Sequence, residues 1–383
     1  MEFLQSIPWL IVLSSVAKTL FLIFLVVLPM VSYTVYAERR VSALIQDRLG
    51  PNRTGFPLTL LGAKKDFSPF LGGLGQPVAD AVKFLLKEEF TPKHVNKFYY
   101  ILAPILAMVP ALTTLAVIPF GSYLFGQKMV IADVNVGILY IFAVASIGVY
   151  GIVLAGWSSN SKYPFLGSIR SSSQMISYEL ALGLSAVPVL MVFGKLNLSD
   201  IVSYQSHNGW LLFPLWGEGL TLQRWVLLIP IFISFVVFTI SMFAETNRLP
   251  FDLPESETEL VAGYHTEYAA MKFALFFLGE YAAMITGCSL IVVLFLGGWD
   301  IPFHIIPDNT PELSTGIWGI ILGLVHITVF FAKVFLLLLV FIWVRWTLPR
   351  FRYDQLMKVG WLYLFEIALV NIFLTAGILA FIK

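Results

Sequence analysis

The sequence predicts an all-α integral membrane protein with about eight transmembrane helices and further amphipathic helices on the cytoplasmic side. Of its 383 residues 58% are hydrophobic and 12% are charged, whereas a soluble domain is about half apolar and a quarter charged. Its mean hydropathy is +0.84. Apolar runs recur that are long enough for a hydrocarbon core about 30 Å thick, which needs about 20 residues per helix. Basic residues cluster in alternate connections between these runs.

The apolar runs organise residues 1–383 as a single polytopic membrane domain. The predicted spans lie near residues 8–36, 98–120, 134–156, 174–194, 225–243, 270–297, 317–345 and 359–382. The predicted cytoplasmic loops, with ten, two, one and three basic residues, are 38–97, 157–173, 244–269 and 346–358. Because positive charge marks the cytoplasmic side, both termini are predicted to lie outside. The first apolar run is too long for a cleaved signal peptide and is expected to be retained.

Two stretches of the first cytoplasmic loop have the spacing of amphipathic helices. AERRVSALIQDRLGPNR places its apolar residues on one face and stops at Gly50-Pro51, which predicts a helix lying in the membrane interface. VADAVKFLLKEEF predicts a second such helix, ended by Pro92. The Gly- and Pro-rich stretch between them is predicted to be a loop.

Ionisable residues inside predicted spans are candidates for function because lipid disfavours charge. They are Lys18, Glu179, Glu280, His326, Lys333 and Glu366. The alternative is that they pair with one another or reach the interface. Glu179 and Glu280 lie about one to two helical turns from the predicted cytoplasmic ends of the fourth and sixth spans. Glu245, where the chain leaves the fifth span, lies at the same depth. These carboxylates are therefore expected to meet at one level.

An acidic stretch follows the fifth apolar run directly. AETNRLPFDLPESETELVAGYHTEY, residues 244–268, carries six carboxylates, Glu245, Asp252, Glu255, Glu257, Glu259 and Glu267, against one Arg248. Close carboxylates in a dry setting cannot all ionise, which suits groups that take up and release protons. The alternative is an ordinary solvated face. Pro250 and Pro254 predict irregular backbone, which at membrane depth survives only inside protein or beside water, and this favours a hydrated pocket.

Redox cofactors are expected outside this chain. Its one cysteine, Cys288, can form neither an intrachain disulfide nor the thiolate set of an iron–sulfur cluster or zinc site. The sequence has no P-loop, G-x-G-x-x-G fingerprint or paired membrane histidines. No metal site and no catalytic residue are predicted in it.

Several long motifs carry a family resemblance. They are AERRVSALIQDRLGPNR, GQPVADAVKFLLKE, SQMISYELALG, AETNRLPFDLPESETELVAGYHTEY and KFALFFLGEYAAM. Together, over about residues 30 to 350, they resemble the quinone-proximal membrane subunit of respiratory complex I, the proton-pumping NADH:quinone oxidoreductase. This subunit is designated H in bacteria and 1 in mitochondria.

The resemblance implies roles for individual residues. A lipid quinone, the substrate, would enter a tunnel lined or braced by Glu38, Arg39, Asp47, Arg48, Arg53, Arg248 and Asp252. An acidic passage coupling quinone reduction to proton translocation would contain Glu179, Glu245, Glu255, Glu257, Glu259, Glu267 and Glu280.

The resemblance also implies the surroundings of the chain. FMN and iron–sulfur clusters would lie in partner subunits. The expected partners are a hydrophilic redox arm on the cytoplasmic side, small membrane subunits, antiporter-like subunits, the lipid bilayer and quinone, with no nucleic acid. The expected location is the bacterial cell inner membrane.

Other interpretations stay open at this point. The basic residues of 38–53 could serve only as positive-inside anchors to anionic lipid, and Arg248 could form a structural pair with Asp252 or Glu255. The whole chain could be the membrane anchor subunit of an energy-converting hydrogenase or related dehydrogenase. It could also be a stand-alone proton-coupled transporter, although no inverted repeat is evident, or a structural anchor whose acids only dock the cytoplasmic arm.

Overall fold

The computed structural model describes residues 9–52, 54, 73–214, 216, 222–253 and 260–382. Within these residues the chain is mostly helical, and eight helices are long and apolar enough to cross a membrane. They are Leu13–Ile45, Lys97–Val117, Gly137–Ser158, Lys162–Phe193, Arg224–Glu245, Ala270–Phe295, Ile317–Thr347 and Tyr353–Phe381. The predicted all-α membrane fold is therefore confirmed.

The elements are numbered here in chain order. The α-helices are α1 (Trp9–Leu20), α2 (Leu28–Ile45), α3 (Gln76–Leu86), α4 (Lys97–Thr114), α5 (Gly137–Ser158), α6 (Lys162–Phe193), α7 (Leu198–Asn208), α8 (Leu222–Glu245), α9 (Ala270–Phe295), α10 (Ile317–Thr347), α11 (Tyr353–Lys358) and α12 (Phe365–Ile382). A short antiparallel hairpin consists of β1 (Gly121–Leu124) and β2 (Gln127–Met129). The π-helical turns Phe21–Val27 and Val359–Leu364 join α1 to α2 and α11 to α12.

The first span continues into the stretch that was predicted to be a separate interfacial helix. Helices α1 and α2 and the π-helical turn between them run without a break. Pro29 is tolerated in the first turn of α2, and no further glycine or proline follows before Gly50. The helix ends at Ile45, short of the predicted stop at Gly50, and Asp47 then adopts a φ of 50°. Leu44 on its outward side is 70% exposed. The apolar face therefore points away from the rest of the chain, as a face against lipid would.

Helix α3 is the second amphipathic helix predicted within residues 38–97. An ion pair of 2.8 Å between Arg39 Nη1 and Asp80 Oδ2 ties it to α2, and Gln76 Nε2 donates to Asp80 Oδ1 at 3.0 Å. It ends at Leu86, before Pro92, because Lys87 has an extended ψ of 135°. Its outward apolar residues are exposed, as expected for a helix in the membrane interface: Val78, Val82, Leu85 and Leu86.

Helix α9 lies at the centre of the bundle. Of its most apolar window 78% is buried inside the chain, against 22% for the first and the last span. The ring of Phe295 packs 5.4 Å from that of Phe235 and 5.8 Å from that of Phe238, both on α8. Gly279 allows α9 to approach α4 closely, since a Cβ there would lie 3.1 Å from the carbonyl oxygen of Ala107. Side chains of α9 are thus in contact with several spans at once.

Parts of the predicted loops are helical in the structure. Helix α6 begins at Lys162 rather than at residue 174, and the last helical rod begins at Tyr353 rather than at 359. Apolar runs mark only the part of a helix that lies in lipid, so polar helical extensions escape them. The hairpin and α7 also occupy predicted connections between spans, and the side chain of Asn197 caps α7 by accepting from the amide of Ser199 at 2.8 Å.

Lys333, in the seventh span, caps the C-terminal end of α9. Its Nζ donates to the carbonyl oxygens of Leu296 at 2.7 Å, Gly298 at 3.0 Å and Asp300 at 2.5 Å. The same ammonium lies 3.9 Å from the centroid of the Trp210 ring. A cation at a helix C-terminus satisfies carbonyls that have no intrahelical donor. Lys333 is therefore a structural cap.

Lys18 and His326 also have partners within the chain. Lys18 Nζ donates to the carbonyl oxygens of Lys128 at 2.8 Å and Val130 at 3.2 Å, so it fastens α1 to the hairpin. His326 Nδ1 lies 2.7 Å from the hydroxyl of Ser122 on β1. For these two residues the observed contacts fit the alternative interpretation, in which an ionisable residue inside a span is paired within the protein.

Candidate functional site

Gln174 on α6 holds the segment that follows α8. Its Nε2 lies within hydrogen-bonding distance of the carbonyl oxygens of Ala244 and Phe251, both at 2.8 Å, and of Asn247 Oδ1 at 3.2 Å. The ring of Tyr178 packs against that of Phe251 at 5.4 Å. Irregular backbone at membrane depth needs such partners inside the protein. The path of residues 244–251, and with it the place of the charged groups they carry, is thereby fixed.

A cavity of about 100 Å³ lies between α4, α5, α6, α8 and α9. Glu179 from α6, Glu245 from α8 and Glu280 from α9 all line it. The structure thus brings together the carboxylates that the depth pattern had placed at one level. A single water needs about 10–15 Å³ of such space, so the cavity has room for several.

The cavity offers few protein donors to its carboxylates. Among the described residues, Glu245 Oε2 is buried without a hydrogen-bond partner. The hydroxyls of Thr114 and Thr286, both in the wall, lie 3.2 Å apart and so can hydrogen-bond to each other. Pro110, also in the wall, lacks the amide that would otherwise bond to the carbonyl of Leu106. A buried carboxylate oxygen in such a place requires either water or a proton.

Arg248 connects this cavity to a second carboxylate. Its Nε lies 2.8 Å from Glu280 Oε1, and its Nη1 lies 3.7 Å from Glu38 Oε1. The guanidinium also lies 4.2 Å from the centroid of the Tyr281 ring. The side chains of Arg248, Glu38 and Glu280 are 6%, 9% and 10% exposed. Glu280 therefore belongs to both the cavity and a buried ion-pair network.

Glu38 is the centre of that network. It comes from α2 and forms a further ion pair with Arg345 in the last turn of α10. Its Oε2 accepts a hydrogen bond of 2.5 Å from the hydroxyl of Tyr281 on α9. One carboxylate thereby joins the first, sixth and seventh spans and the segment after the fifth.

Asp252 contributes an adjacent pair. Its Oδ2 lies 3.1 Å from Arg350 Nη2, and the Asp252 side chain is 8% exposed. With this pair the buried cluster contains three carboxylates and three guanidinium groups: Glu38, Asp252, Glu280, Arg248, Arg345 and Arg350. Because buried charges are tolerated when they are matched, removing one member would leave an uncompensated charge.

The other predicted tunnel residues lie at the outer rim of this region. Arg39 pairs with Asp80, as described above, and its side chain is 48% exposed. Asp47 and Arg48 are exposed in the turn after α2. Arg53 lies outside the described residues.

The rest of the predicted acidic group is only partly described. Glu255, Glu257 and Glu259 lie outside the residues that the structure describes. Glu267 does not line the cavity, and its carbonyl oxygen accepts a 2.7 Å hydrogen bond from the hydroxyl of Tyr100. The structure therefore separates Glu267 from Glu179, Glu245 and Glu280.

A neutral histidine packs beside the cavity wall. His265 is buried, and its ring meets those of Tyr264, Phe273 and Phe277 at 4.9, 5.1 and 5.9 Å. Burial lowers the pKa of His265 from 6.5 to about 4. It is therefore uncharged at neutral pH.

Sequence patterns did not identify several members of the network. Arg345 is the last residue of the predicted seventh span and Arg350 follows it, and neither is distinguishable there from ordinary positive-inside residues. Tyr281 was overlooked because aromatic residues are common inside apolar spans, although its position next to Glu280 was a usable indication. In the described ranges no group of three His, Cys, Asp or Glu residues is arranged to hold a metal ion.

Comparison with known proteins identifies the family. The family described as NADH dehydrogenase matches residues 17–376. Similar relatives include H-type subunits of NADH-quinone oxidoreductases from three bacteria. The chain is 46% identical over 381 residues to the one numbered 2 in Koribacter versatilis, covering 96% of this chain and 97% of that one. It is 47% identical over 363 residues to the one numbered 1 in Geobacter metallireducens, covering 94% of each. It is 46% identical over 357 residues to that of Rhodospirillum rubrum, covering 92% and 91%. The resemblance seen in its motifs is therefore confirmed, and the chain belongs to the NADH dehydrogenase family as the H-type, multi-pass membrane subunit of an NADH-quinone oxidoreductase.

Proposed function

We propose that this chain forms the entry passage for quinone and an acidic passage that couples quinone reduction to proton translocation. One observation supports the proposal most directly: Glu280 belongs to both the ion-pair network and the cavity. It pairs with Arg248 at 2.8 Å and also lines the cavity with Glu179 and Glu245. A change of charge near Arg248 would therefore alter the protonation of the cavity through one shared carboxylate.

The entry passage is proposed to lie between α2, α3 and α9. The Arg39–Asp80 pair joins α2 to α3, and Lys272 near the start of α9 pairs with Glu89 at 3.3 Å. The ring of Phe84 on α3 lies 6.5 Å from that of Phe273 on α9. A long isoprenoid quinone needs an apolar path at the membrane interface with a few polar groups at its inner end. A surface helix with exposed apolar residues beside spanning helices suits such a path.

The inner end of the passage is proposed to be the network around Arg248. Reducing a quinone requires protons and produces negative charge until those protons arrive. Negative charge close to Arg248 would compete with Glu280 for the guanidinium. When Glu280 loses part of that interaction, its protonated form is favoured, because an unpaired carboxylate is poorly tolerated inside protein.

The cavity would carry the effect onward. A proton taken up by Glu280 can be exchanged with Glu245 and Glu179 through water, for which the cavity has room. These groups would behave as one coupled set rather than as three independent acids. No redox step is assigned to this chain: FMN and iron–sulfur clusters are proposed to lie in the partner subunits.

The surroundings follow from the same proposal. Other subunits of the NADH-quinone oxidoreductase are partners of the chain. We propose that the hydrophilic redox arm lies on the side of residues 38–97, where the basic loop residues concentrate, and of residues 244–269, which fall on the same side. The antiporter-like and small membrane subunits would lie around the helices. This orientation puts both termini outside a bacterial inner membrane.

The test is quinone reduction and proton pumping by the assembled complex carrying Glu280→Gln or Glu245→Gln. Each variant is expected to assemble and to lose most of both activities, because glutamine keeps the shape of the side chain but cannot exchange a proton. Glu312→Gln, at an exposed residue of the outer side, is the matched control and should behave as the parent. If both cavity variants pump and reduce quinone normally, the coupling role is abandoned.

The same experiment separates the alternatives. A purely structural anchor predicts that the variants either fail to assemble or work normally. The hydrogenase-anchor alternative predicts no NADH-driven quinone reduction by the purified assembly, and the relatives named above are subunits of NADH-quinone oxidoreductases instead. A stand-alone transporter would be active without any co-purifying subunit.

A further inference from the structure

Glu366 faces outward from the last membrane helix. Helix α12 and the π-helical turn before it pack inward through a stripe that includes Leu364, Ala368, Asn371 and Thr375, all buried. Successive residues of an α-helix are about 100° apart, so Glu366, two residues from both Leu364 and Ala368, points about 160–200° away from that stripe. Glu366 is exposed on the side that the rest of the chain leaves uncovered.

The depth of Glu366 follows from a contact between two spans. Asn371 Nδ2 donates to Ser234 Oγ and to the carbonyl oxygen of Pro230, both at 2.9 Å. Ser234 lies halfway along the span Arg224–Glu245. Glu366 is five residues nearer the start of its helix than Asn371, which is about 7.5 Å along the axis. It therefore lies well inside a hydrocarbon core that extends about 15 Å to either side of its centre.

The carboxylate has no protein partner in the described part of the chain. No side chain there makes a hydrogen bond or an ion pair with Glu366. Tyr363, three residues before Glu366, is also exposed on this face, and the other neighbours there are apolar: Leu362, Leu369, Val370 and Phe373. Glutamate also lacks the long stem that lets lysine and arginine reach the interface. A carboxylate left against lipid at this depth is strongly disfavoured.

We propose that this outward face of α12, centred on Glu366, is the contact surface for a transmembrane helix of another subunit of the oxidoreductase, which places a lysine or arginine against the carboxylate. A basic side chain is the complement that charge and depth require, since polar groups buried between membrane helices are paired with one another. The apolar residues one turn to either side supply the packing surface around the ion pair. The interface is independent of the proposed quinone and proton passages.

The first test uses photo-crosslinking in the intact complex. A benzophenone amino acid replaces Leu362 or Val370, on the Glu366 face, or Leu336, an exposed residue of α10 that measures background labelling. The expected result is an adduct from both test positions to one membrane subunit, within about one helical turn of a lysine or arginine in a predicted span. Adducts to phospholipid alone, or to a segment with no basic residue, would overturn the proposal.

The second test is charge exchange. Glu366→Lys is expected to lower the amount of assembled complex about tenfold, because it places two cations against each other in lipid, whereas Glu366→Gln has a smaller effect. Changing the crosslinked basic residue of the partner to glutamate should restore assembly of the Glu366→Lys chain. That restoration also shows that the variant chain inserts and folds. If the exchange leaves assembly as low as in the single variant, there is no such ion pair.

Discussion

The pair between Arg248 and Glu280 can be tested by removing each partner alone and then both. Arg248→Met replaces the guanidinium by an apolar chain, and Glu280→Gln removes the carboxylate charge with little change of shape. The two atoms that meet, Nε and Oε1, are 2.8 Å apart, and both side chains are at least nine-tenths buried. Each single variant leaves its former partner as an excess charge in the network. The double variant leaves neither.

The size of the effect follows from burial. Two unit charges about 4 Å apart attract by about 4 kcal/mol at an effective dielectric constant of about 20. Removing one partner of a buried pair costs about 3–5 kcal/mol. The lower end applies to Arg248→Met because the carboxylate left behind can take up a proton. It applies to Glu280→Gln because Arg248 keeps Glu38 as a partner, with Nη1 3.7 Å from Oε1. At about 3 kcal/mol, each single variant is expected to lower kcat/KM for quinone about a hundredfold. The double variant is expected to lose about as much as one single variant, whereas independent effects would multiply to about ten-thousandfold.

The assay is NADH-driven quinone reduction per assembled complex, with assembly quantified separately on native gels. The exposed pair Lys195–Asp200, at 3.0 Å and with side chains 64% and 42% exposed, provides a matched control cycle. Its coupling energy is expected to stay below about 1 kcal/mol because exposed pairs are screened by water. If the losses of kcat/KM in the two single variants multiply in the double variant, the reasoning that Arg248 and Glu280 act as one coupled pair is refuted.

Three further predictions concern packing, pH and capping. Gly279→Ala should destabilise the assembled complex by about 1–3 kcal/mol in a thermal unfolding assay, because the added Cβ would lie 3.1 Å from the carbonyl oxygen of Ala107. Gly183→Ala is the control and should be neutral or slightly stabilising in that assay, because nothing lies within 4 Å of its Cβ. Equal melting midpoints for the two variants would contradict the close approach of α9 to α4. The folded state keeps His265 uncharged, with its pKa lowered from 6.5 to about 4, so the segment's stability is complete above pH 6.5 and falls by up to about 3 kcal/mol toward pH 4. Hydrogen exchange of residues 260–269, corrected for the intrinsic rate, should show this fall in the parent and not in His265→Phe, and a fall in both would assign it to another group. Lys333→Met should expose the amides of residues 296–300 to exchange by removing the donor to three carbonyls, and unchanged protection would show that the cap is dispensable.

The membrane fold was largely predictable because hydrophobicity and charge act locally. Apolar runs and basic loops depend on a single helix and the bilayer, so the number of spans could be counted from sequence. The start of α6 at Lys162 was missed because that part of the helix is polar and leaves no apolar run. The hairpin was missed because strands of four and three residues, Gly121–Leu124 and Gln127–Met129, are too short to show a clear alternation.

The candidate site was predictable only where depth alone was decisive. Glu179, Glu245 and Glu280 share a depth, and that was sufficient to expect them together. The ion pair between Glu38 and Arg345 joins residues 307 positions apart, and no periodicity connects such a pair. The functional roles of all these residues remain predictions, which the variants described above test.

The unbroken first helix fixes the direction in which Glu38 faces. Leu13–Ile45 comprises 33 residues, which is about 50 Å of helix against a hydrocarbon core about 30 Å thick. Because no hinge separates the membrane part from Glu38, the azimuth of the carboxylate is determined by the number of residues below it. One residue inserted after Tyr36 would turn Glu38 about 100° away from Arg248 and Arg345, and four inserted residues would return it to within about 40° but raise it by about 6 Å. The rotational setting of the first membrane helix thus determines whether Glu38 can form its ion pairs with Arg248 and Arg345.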